Sequence, residues 1–592
     1  MKKIGIGYEF YTHFIDQNLY YVDKTLLVRD ILEKGGQVTL ITRPRRFGKT
    51  LALTMLQTYF ELEYDREGNV IDKKRYFEGK KVMEAGDEVL SKMGQYPVIR
   101  LTLKSAKQPD FYTAFLKLRD EIIGEFSRHR YLLSSSVIEK KKKQEFNSLY
   151  KGFSYWEEQT KNLMDREKEK ELLHKEAARY ATAIKTLCEC LKEHHGKNVI
   201  ILIDEYDVPL ENSWFRGFYE EMIDFIRSLF ESALKTNTAL EFAVVTGCLR
   251  ISRESIFTGL NNLTINSVLD SDFAEYFGFT QEDADEMLRH YGLEDRRDEL
   301  KDWYDGYLFG ESEVYNPWSV INYVNGKVNK GTKFPKPYWS ITSSNSIIKD
   351  LVEGADDETK QELDLLISGG TIEKPVHEDI TYGDVYQSKD NLWNFLFFTG
   401  YMKKISERQE NTAVYLTMKI PNKEILYIYE NQVREWFNTA LKNANTDRSA
   451  LHKAVPEKNT EEMSRILTKL LKKSISTFDS YEGFYHGFLL SMLIGINDYV
   501  AKSNREVGIG RPDIVLYPEN PTDPAYIFEI KIRKKYNQMQ DGLKEAFDQI
   551  RDQKYEEGIL DDGYAGVISF GVCFCKKSCI ISLMEKGIDH EQ

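Results

Sequence analysis

Two apolar runs, each delivering polar groups at its own C-terminal end, constrain this chain most. The first is GGQVTLIT, followed directly by Arg43-Pro44-Arg45-Arg46-Phe47-Gly48-Lys49-Thr50 and then by the helical pattern LALTMLQTYFELE. The second is KNVIILI, which ends at Asp204-Glu205. Short continuous apolar runs alternating with helical patterns imply a parallel sheet covered by helices. YPVIRLTLK and LEFAVVTGC supply two further strands, and EEMIDFIRSLFESAL reads as the helix before the last of them. Residues 1–270 are therefore expected to form an α/β domain, a parallel sheet with helices on both faces.

The loop between the first strand and its helix has the parts of a phosphate cradle. The general pattern is G-x-x-x-x-G-K-[ST], and here Arg43 stands where its first glycine would be. Gly48 would let the backbone approach phosphate oxygens, Lys49 would reach the β- and γ-phosphates, and the Thr50 hydroxyl would bind Mg²⁺. A helix N-terminus behind them favours anions. Asp204, at the tip of a buried strand, suits Mg²⁺ coordination, and Glu205 could polarise an attacking water. Thr246 ends the fourth strand where a γ-phosphate sensor would lie. Arg250 and Arg253 follow; each could neutralise transition-state charge, in its own subunit or a neighbouring one of a homo-oligomer, or equally form a surface ion pair.

A second constellation lies near the C-terminus. Asp513 opens the apolar strand of RPDIVLYP, and sixteen residues later comes Phe528-Glu529-Ile530-Lys531-Ile532. Strand periodicity puts Glu529 and Lys531 on one face, with Ile530 and Ile532 packing behind. If the two strands form a hairpin, Asp513 and Glu529 can meet and hold a hard cation through oxygens. Lys531 could then orient or deprotonate a water and stabilise charge on a scissile phosphate, which is metal-assisted phosphodiester hydrolysis. Glu482, on the preceding helix, could add a carboxylate, and the helix that follows bears Gln549, with Tyr555 just beyond it. Arg505, Arg511, Arg533, Lys534 and Lys535 surround the motif and could neutralise phosphates.

Between these regions the pattern is mostly helical over 271–390, with a polar stretch at 353–385 read as linker or loop. NLWNFLFFTGYM followed by ERQENTAVYLTMKIPN reads as a helix and a β-hairpin, compatible with a winged-helix-like connector over 391–455. Residues 456–592 return to α/β. The net charge of −13 excludes a globally basic nucleic-acid binder but not a local basic groove. Six cysteines, no secretory h-region and no window near ~18 consecutive apolar residues point to a protein of the reducing cytoplasm with no membrane partner. Cys573, Cys575 and Cys579 read as strand packing rather than zinc ligands. Lys140 to Lys143 read as a solvated face, and Trp303, Tyr304, Tyr307 and Trp318 as the core of a helical lid. His13, His486 and the His194–His195 pair show no partner set.

The combined strings carry a resemblance. YYVDKT, RPRRFGKT, LIDEYDVPL, VVTGCLRISRESIFTGLNN, WYDGY and YNPWSV resemble the AAA-ATPase-like family of bacterial proteins. YEGFYHGFLL, REVGIGRPDIVL, FEIKI, AFDQIRDQKY and GVCFCKK resemble a PD-(D/E)XK nuclease-like domain commonly fused to it. The resemblance implies a P-loop NTPase fold followed by a restriction-endonuclease-like α/β fold. It matches Lys49 and Thr50 to the Walker A ligands, Asp204 and Glu205 to Walker B, and Asp513, Glu529 and Lys531 to the nuclease core, with Glu482 as the helix acid. Taken with the residues, this reads as an ATP-binding and ATP-hydrolysing protein coupled to a Mg²⁺-dependent nuclease that cleaves DNA, with RNA the second choice, a switch-like arrangement that fits defence or DNA processing. The alternative is a nucleotide-gated switch that binds nucleic acid or protein without cutting.

Overall fold

The computed structural model describes the chain except residues 66, 153–165, 236, 251–255, 258–260, 340–347, 350, 352–355, 378–381, 386–387, 444–447, 475–481, 504–506, 508–509 and 585–592. It divides into two units, one of Met1–Ser343 with Glu373–Glu424 and one of Ser344–Ile372 with Ile425–Gln592.

The first unit is built on five strands: β1 (Val38–Thr42), β2 (Val98–Thr102), β3 (Val199–Asp204), β4 (Leu240–Gly247) and β5 (Leu263–Asn266). Their order is β2-β3-β4-β1-β5, and every pair is parallel. Every residue of β1 and β3 is buried, as continuous apolar runs require of strands covered on both faces. The helix after β1, α1 (Lys49–Phe60), packs Leu53, Leu56, Tyr59 and Phe60 into one cluster with Ile200, Leu202 and Val244. Each such side chain contributes roughly 1.5–3 kcal/mol of apolar burial. Because β4 lies between β3 and β1, the loop after β1, Asp204 and Thr246 all reach the same edge of the sheet.

The strand β5 was not anticipated. It is four residues long and mostly half-exposed, so LTIN lacks the apolar run that betrays β1 and β3. Beyond the sheet comes a hairpin of β6 (Tyr307–Phe309) and β7 (Ser312–Val314), then α2 (Pro317–Lys330), whose first turn is capped by the Asn316 side chain. Tyr304 and Tyr307 are buried, while Trp303 and Trp318 are half-buried. The polar stretch 353–385 is not merely a linker. It holds a helix at Asp357–Ile367 and the strand β8 (Ile372–Pro375), because ETKQELDLLI hides a helical apolar spacing among charges. The anticipated helix is Lys389–Phe398, and the hairpin is β9 (Lys403–Glu410) with β10 (Ala413–Lys419). Strand β8 joins that hairpin at β10 to make three strands.

The second unit carries a five-stranded sheet: β11 (Tyr499–Ser503), β12 (Ile514–Pro518), β13 (Ala525–Ile532), β14 (Val567–Cys575) and β15 (Ser578–Leu583), in that order. Only β13 and β14 run parallel, and the helix between them, α4 (Met539–Asp552), makes the crossover. A further helix, α3 (Glu482–Leu493), precedes β11. Cys573 and Cys575 lie inside β14 and are fully buried, and burial pushes the Cys573 thiol up to about 11. Among the described residues no helix is long and apolar enough to cross a membrane.

Candidate active sites

The first site forms where β1 turns into α1. Gly48 has φ +84°, a left-handed conformation that glycine adopts without strain, and a Cβ built there would meet nothing within 4 Å. The space over Gly48 is thus open to an approaching ligand. Lys49 is buried, and its Nζ donates to the carbonyls of Arg43 at 2.8 Å and Pro44 at 2.9 Å, closing the loop on itself. The Thr50 hydroxyl donates to Asp204 Oδ2 at 2.6 Å, and the Thr246 hydroxyl donates to Asp204 Oδ1 at 2.7 Å. Asp204 is thus held at both oxygens by residues from two other elements. Glu205 follows with φ +52°, uncommon for a non-glycine residue and of the kind that collects at functional sites. Burial pushes its carboxyl pKa up, against the pull of the Lys49 ammonium, and Asp204 pushes the same way as burial.

The rest of the loop divides its labour. Arg43 is fully buried, and its guanidinium donates to the carbonyls of Thr42, Asn266, Ser267 and Asp272 at 2.6–3.2 Å. It also faces the rings of Phe277 and Phe309 at 5.8 and 5.2 Å. Phe47 is equally buried, against Tyr307 and Phe309. Arg43 and Phe47 thus commit their side chains to the core and leave their main chains to face a ligand. Arg45 pairs with Glu211, and Arg46 lies over the Trp318 ring of α2 at 4.4 Å.

Sequence reasoning missed two parts of this site. Asp207 is buried and accepts from the amides of Cys248 at 2.9 Å and Leu249 at 3.1 Å, so it fixes the chain leaving β4. Next to Gly48 opens an apolar cleft of about 690 Å³, its mouth included, lined by Phe14, Tyr20, Tyr21, Met55, Phe279 and Ile321 among others. That apolar, aromatic lining suits a small flat ligand. The string YYVDKT was the sequence signal for it. Arg250 is half-buried just after β4, and Arg253 lies outside the described residues.

The second site lies in the other unit. The β12–β13 register pairs Ile514 with Phe528, so Asp513 stands opposite Glu529 one step further along. Asp513 Oδ2 accepts from the Ile530 amide at 2.7 Å. Lys531 Nζ donates to Glu529 Oε1 at 3.1 Å and to Gln549 Oε1, on α4, at 2.7 Å. Gln549 in turn reaches the Tyr555 hydroxyl at 3.4 Å. Glu529 is only 1% exposed. Burial pushes its carboxyl up to about 7, repulsion from Asp513 adds to the shift, and Lys531 only partly opposes it. A lysine alone does not compensate the two acids, and a divalent cation would. Two facing carboxylates are the kind of oxygen donors a hard cation takes. Among the described residues no group of three or more His, Cys, Asp or Glu could hold a metal ion. Glu482 begins α3, but its side chain lies outside the described residues, as does Arg505. His486, read as having no partner, places Nε2 2.9 Å from the Asp513 carbonyl oxygen.

Residues 5–257 match the model of a predicted AAA-ATPase family, and residues 480–583 match that of the PD-(D/E)XK nuclease superfamily. The chain joins an AAA-ATPase-like domain to a PD-(D/E)XK nuclease superfamily domain. The AAA-ATPase-like match spans β1 to β4 and their loops, and the nuclease match spans α3 to β15. The chain is also similar to the "uncharacterized protein in vnfD 5′ region" of Azotobacter chroococcum mcd 1, with 27% identity over 355 residues. That alignment covers 59% of this chain and 56% of the relative, so the chain spans little more than half of that protein's length. Among solved structures, the Walker-type ATPase PABY2304 of Pyrococcus abyssi aligns over 69% of this chain and 94% of its own. The TM-score there is 0.31 and the identity 14%.

Proposed function

We propose that this protein binds and hydrolyses ATP in its first unit and hydrolyses DNA phosphodiester bonds in its second, with Mg²⁺ at both sites. The observation that carries the nuclease half is the Asp513–Glu529 pair. Two acids stand opposite each other across adjacent strands, one buried and pushed up to about 7, with a lysine two residues on along the same face.

In the first unit the open face over Gly48 would receive the phosphates of a nucleotide, Thr50 and Asp204 would hold its magnesium, and the apolar cleft would take the base. Glu205, whose carboxyl pKa burial raises, holds and polarises the attacking water. Thr246, hydrogen-bonded to Asp204, senses whether the γ-phosphate is present, and Arg250 neutralises charge developing on it.

In the second unit Asp513 and Glu529 would hold a divalent cation, which when bound supplies Lewis acidity and an activated water. Lys531, steadied by Glu529 and Gln549, donates toward the phosphate oxygen that gains charge. Arg511, Lys534 and Lys535 are exposed near this centre and would hold the DNA backbone. The acidic total charge makes this a local grip, weakened by salt.

Incubation with supercoiled plasmid and Mg²⁺, with and without ATP, tests the reading. Cleavage by the wild type and none by Lys531→Ala is the expected result. Normal ATP turnover with no cleavage would replace the nuclease by a nucleotide-gated binding module.

A further inference from the structure

Asp513 sits in an awkward place for a ligand. It follows Pro512, which has no amide hydrogen, and it precedes the first residue of β12 that pairs on either side, Ile514 with Ser503 and with Phe528. It also faces Glu529, whose like charge pushes it away whenever both are ionised. Contacts with β13 hold it: the Ile530 amide on Oδ2 at 2.7 Å, and its own amide toward Glu529 Oε2 at 3.5 Å. Another comes from a different element. His486 on α3 stands 2.9 Å from the Asp513 carbonyl oxygen through Nε2. A carbonyl only accepts, so Nε2 carries the hydrogen.

The imidazole is delivered by a rigid support. On the same helix Tyr485, Phe488 and Leu489 are buried. Tyr485 stacks on Phe574 at 4.5 Å and donates its hydroxyl to the Lys576 carbonyl at 2.7 Å. A helix so anchored fixes where His486 can point.

We propose that His486 is a positioning residue of the nuclease-like centre: it holds the Asp513 main chain from α3, so that the Asp513 carboxylate stays within reach of Glu529 and of a shared cation. This rests on the nuclease reading above. It does not make His486 a ligand or a proton carrier. Groups that orient metal ligands typically change metal affinity about 10–100-fold when removed.

The test is calorimetric titration of Mn²⁺ into the nucleotide-free full chain, as wild type, Asp513→Asn, His486→Ala and His486→Gln, with melting temperatures measured alongside. A glutamine places its amide nitrogen near the position of imidazole Nε2 and can make the same bond. The expected result is a site lost in Asp513→Asn, about tenfold weaker in His486→Ala and restored in His486→Gln. A purely structural role would lower the melting temperature of both His486 variants without this split in affinity. If the Asp513-dependent site exists and His486→Ala binds as the wild type does, or glutamine rescues no better than alanine, this inference fails and the nuclease reading stands. If Asp513→Asn changes no Mn²⁺ binding, the metal centre itself is refuted and the inference goes with it.

Discussion

Arg43→Gly restores the glycine that general phosphate loops carry at that position, so pattern matching alone expects it to be harmless or helpful. The structure expects the reverse. The Arg43 guanidinium is fully buried, and burial lowers its pKa to about 10, which leaves it charged at neutral pH. It satisfies four carbonyls, two of them at the end of β5 and just beyond it, 223 and 224 residues away in sequence. A hydrogen bond to a charged group is worth about 1.5–3 kcal/mol, so even if water entering the void recovers half of the four, about 3–6 kcal/mol is lost. The greater backbone freedom of an unfolded glycine adds up to about 1 kcal/mol. Urea denaturation followed by circular dichroism reads the loss, and calorimetry with ATP should show binding weakened along with it. Arg43→Lys should fall between, because an ammonium keeps the charge but cannot span the carbonyls served by a fork. An Arg43→Gly protein within 1 kcal/mol of wild type and binding ATP at least as tightly would refute the reasoning.

Other outcomes follow from the same geometry. Thr246→Val removes one of the two hydroxyls on buried Asp204; a loss of about 2 kcal/mol is expected by denaturant titration. ATP turnover should fall in the same variant. Glu424 is buried and accepts from Ser319 Oγ at 2.7 Å and the Trp339 amide at 2.8 Å, yet burial dominates and pushes its carboxyl up to about 7. The folded state therefore holds this proton more tightly than the unfolded one. The stabilisation is full below pH ~4.5 and declines by about 3 kcal/mol as pH rises to ~7, at roughly 1.4 kcal/mol per unit. Stability measured at pH 4.5, 6 and 8 should show that decline in the wild type and less of it in Glu424→Gln.

What the sequence disclosed, and what it hid, divides along physical lines. Strands β1, β3, β4, β12, β13 and β14 were legible because each is a run of apolar residues buried on its own account. Strands β5, β11 and β15 are short or mixed in polarity, and only their partners make them strands. The gathering of Thr50, Asp204 and Thr246 was legible because each stands at a strand or helix end, where parallel neighbours bring tips together. The pairing of Asp513 with Glu529 was legible from strand periodicity and the gap of sixteen residues. The partners of the Arg43 side chain were hidden because they are main-chain carbonyls, of Thr42 beside it and of Asn266, Ser267 and Asp272 at and beyond the end of β5. His486 showed no partner because its partner is a main-chain oxygen 27 residues away, which no side-chain pattern announces. The burial of Glu529 was also hidden, since Phe528-Glu529-Ile530-Lys531 alternates like a half-exposed strand.

The central claim is that Asp513 and Glu529 share one divalent cation. Crystals soaked in Mn²⁺ and measured at the manganese absorption edge would locate it by anomalous scattering. The account expects one strong peak between the two carboxylates, within roughly 2.0–2.6 Å of an oxygen from each, with Lys531 near but not bound to it. A peak held by only one of the two acids, or none there while the nucleotide site fills, would contradict it.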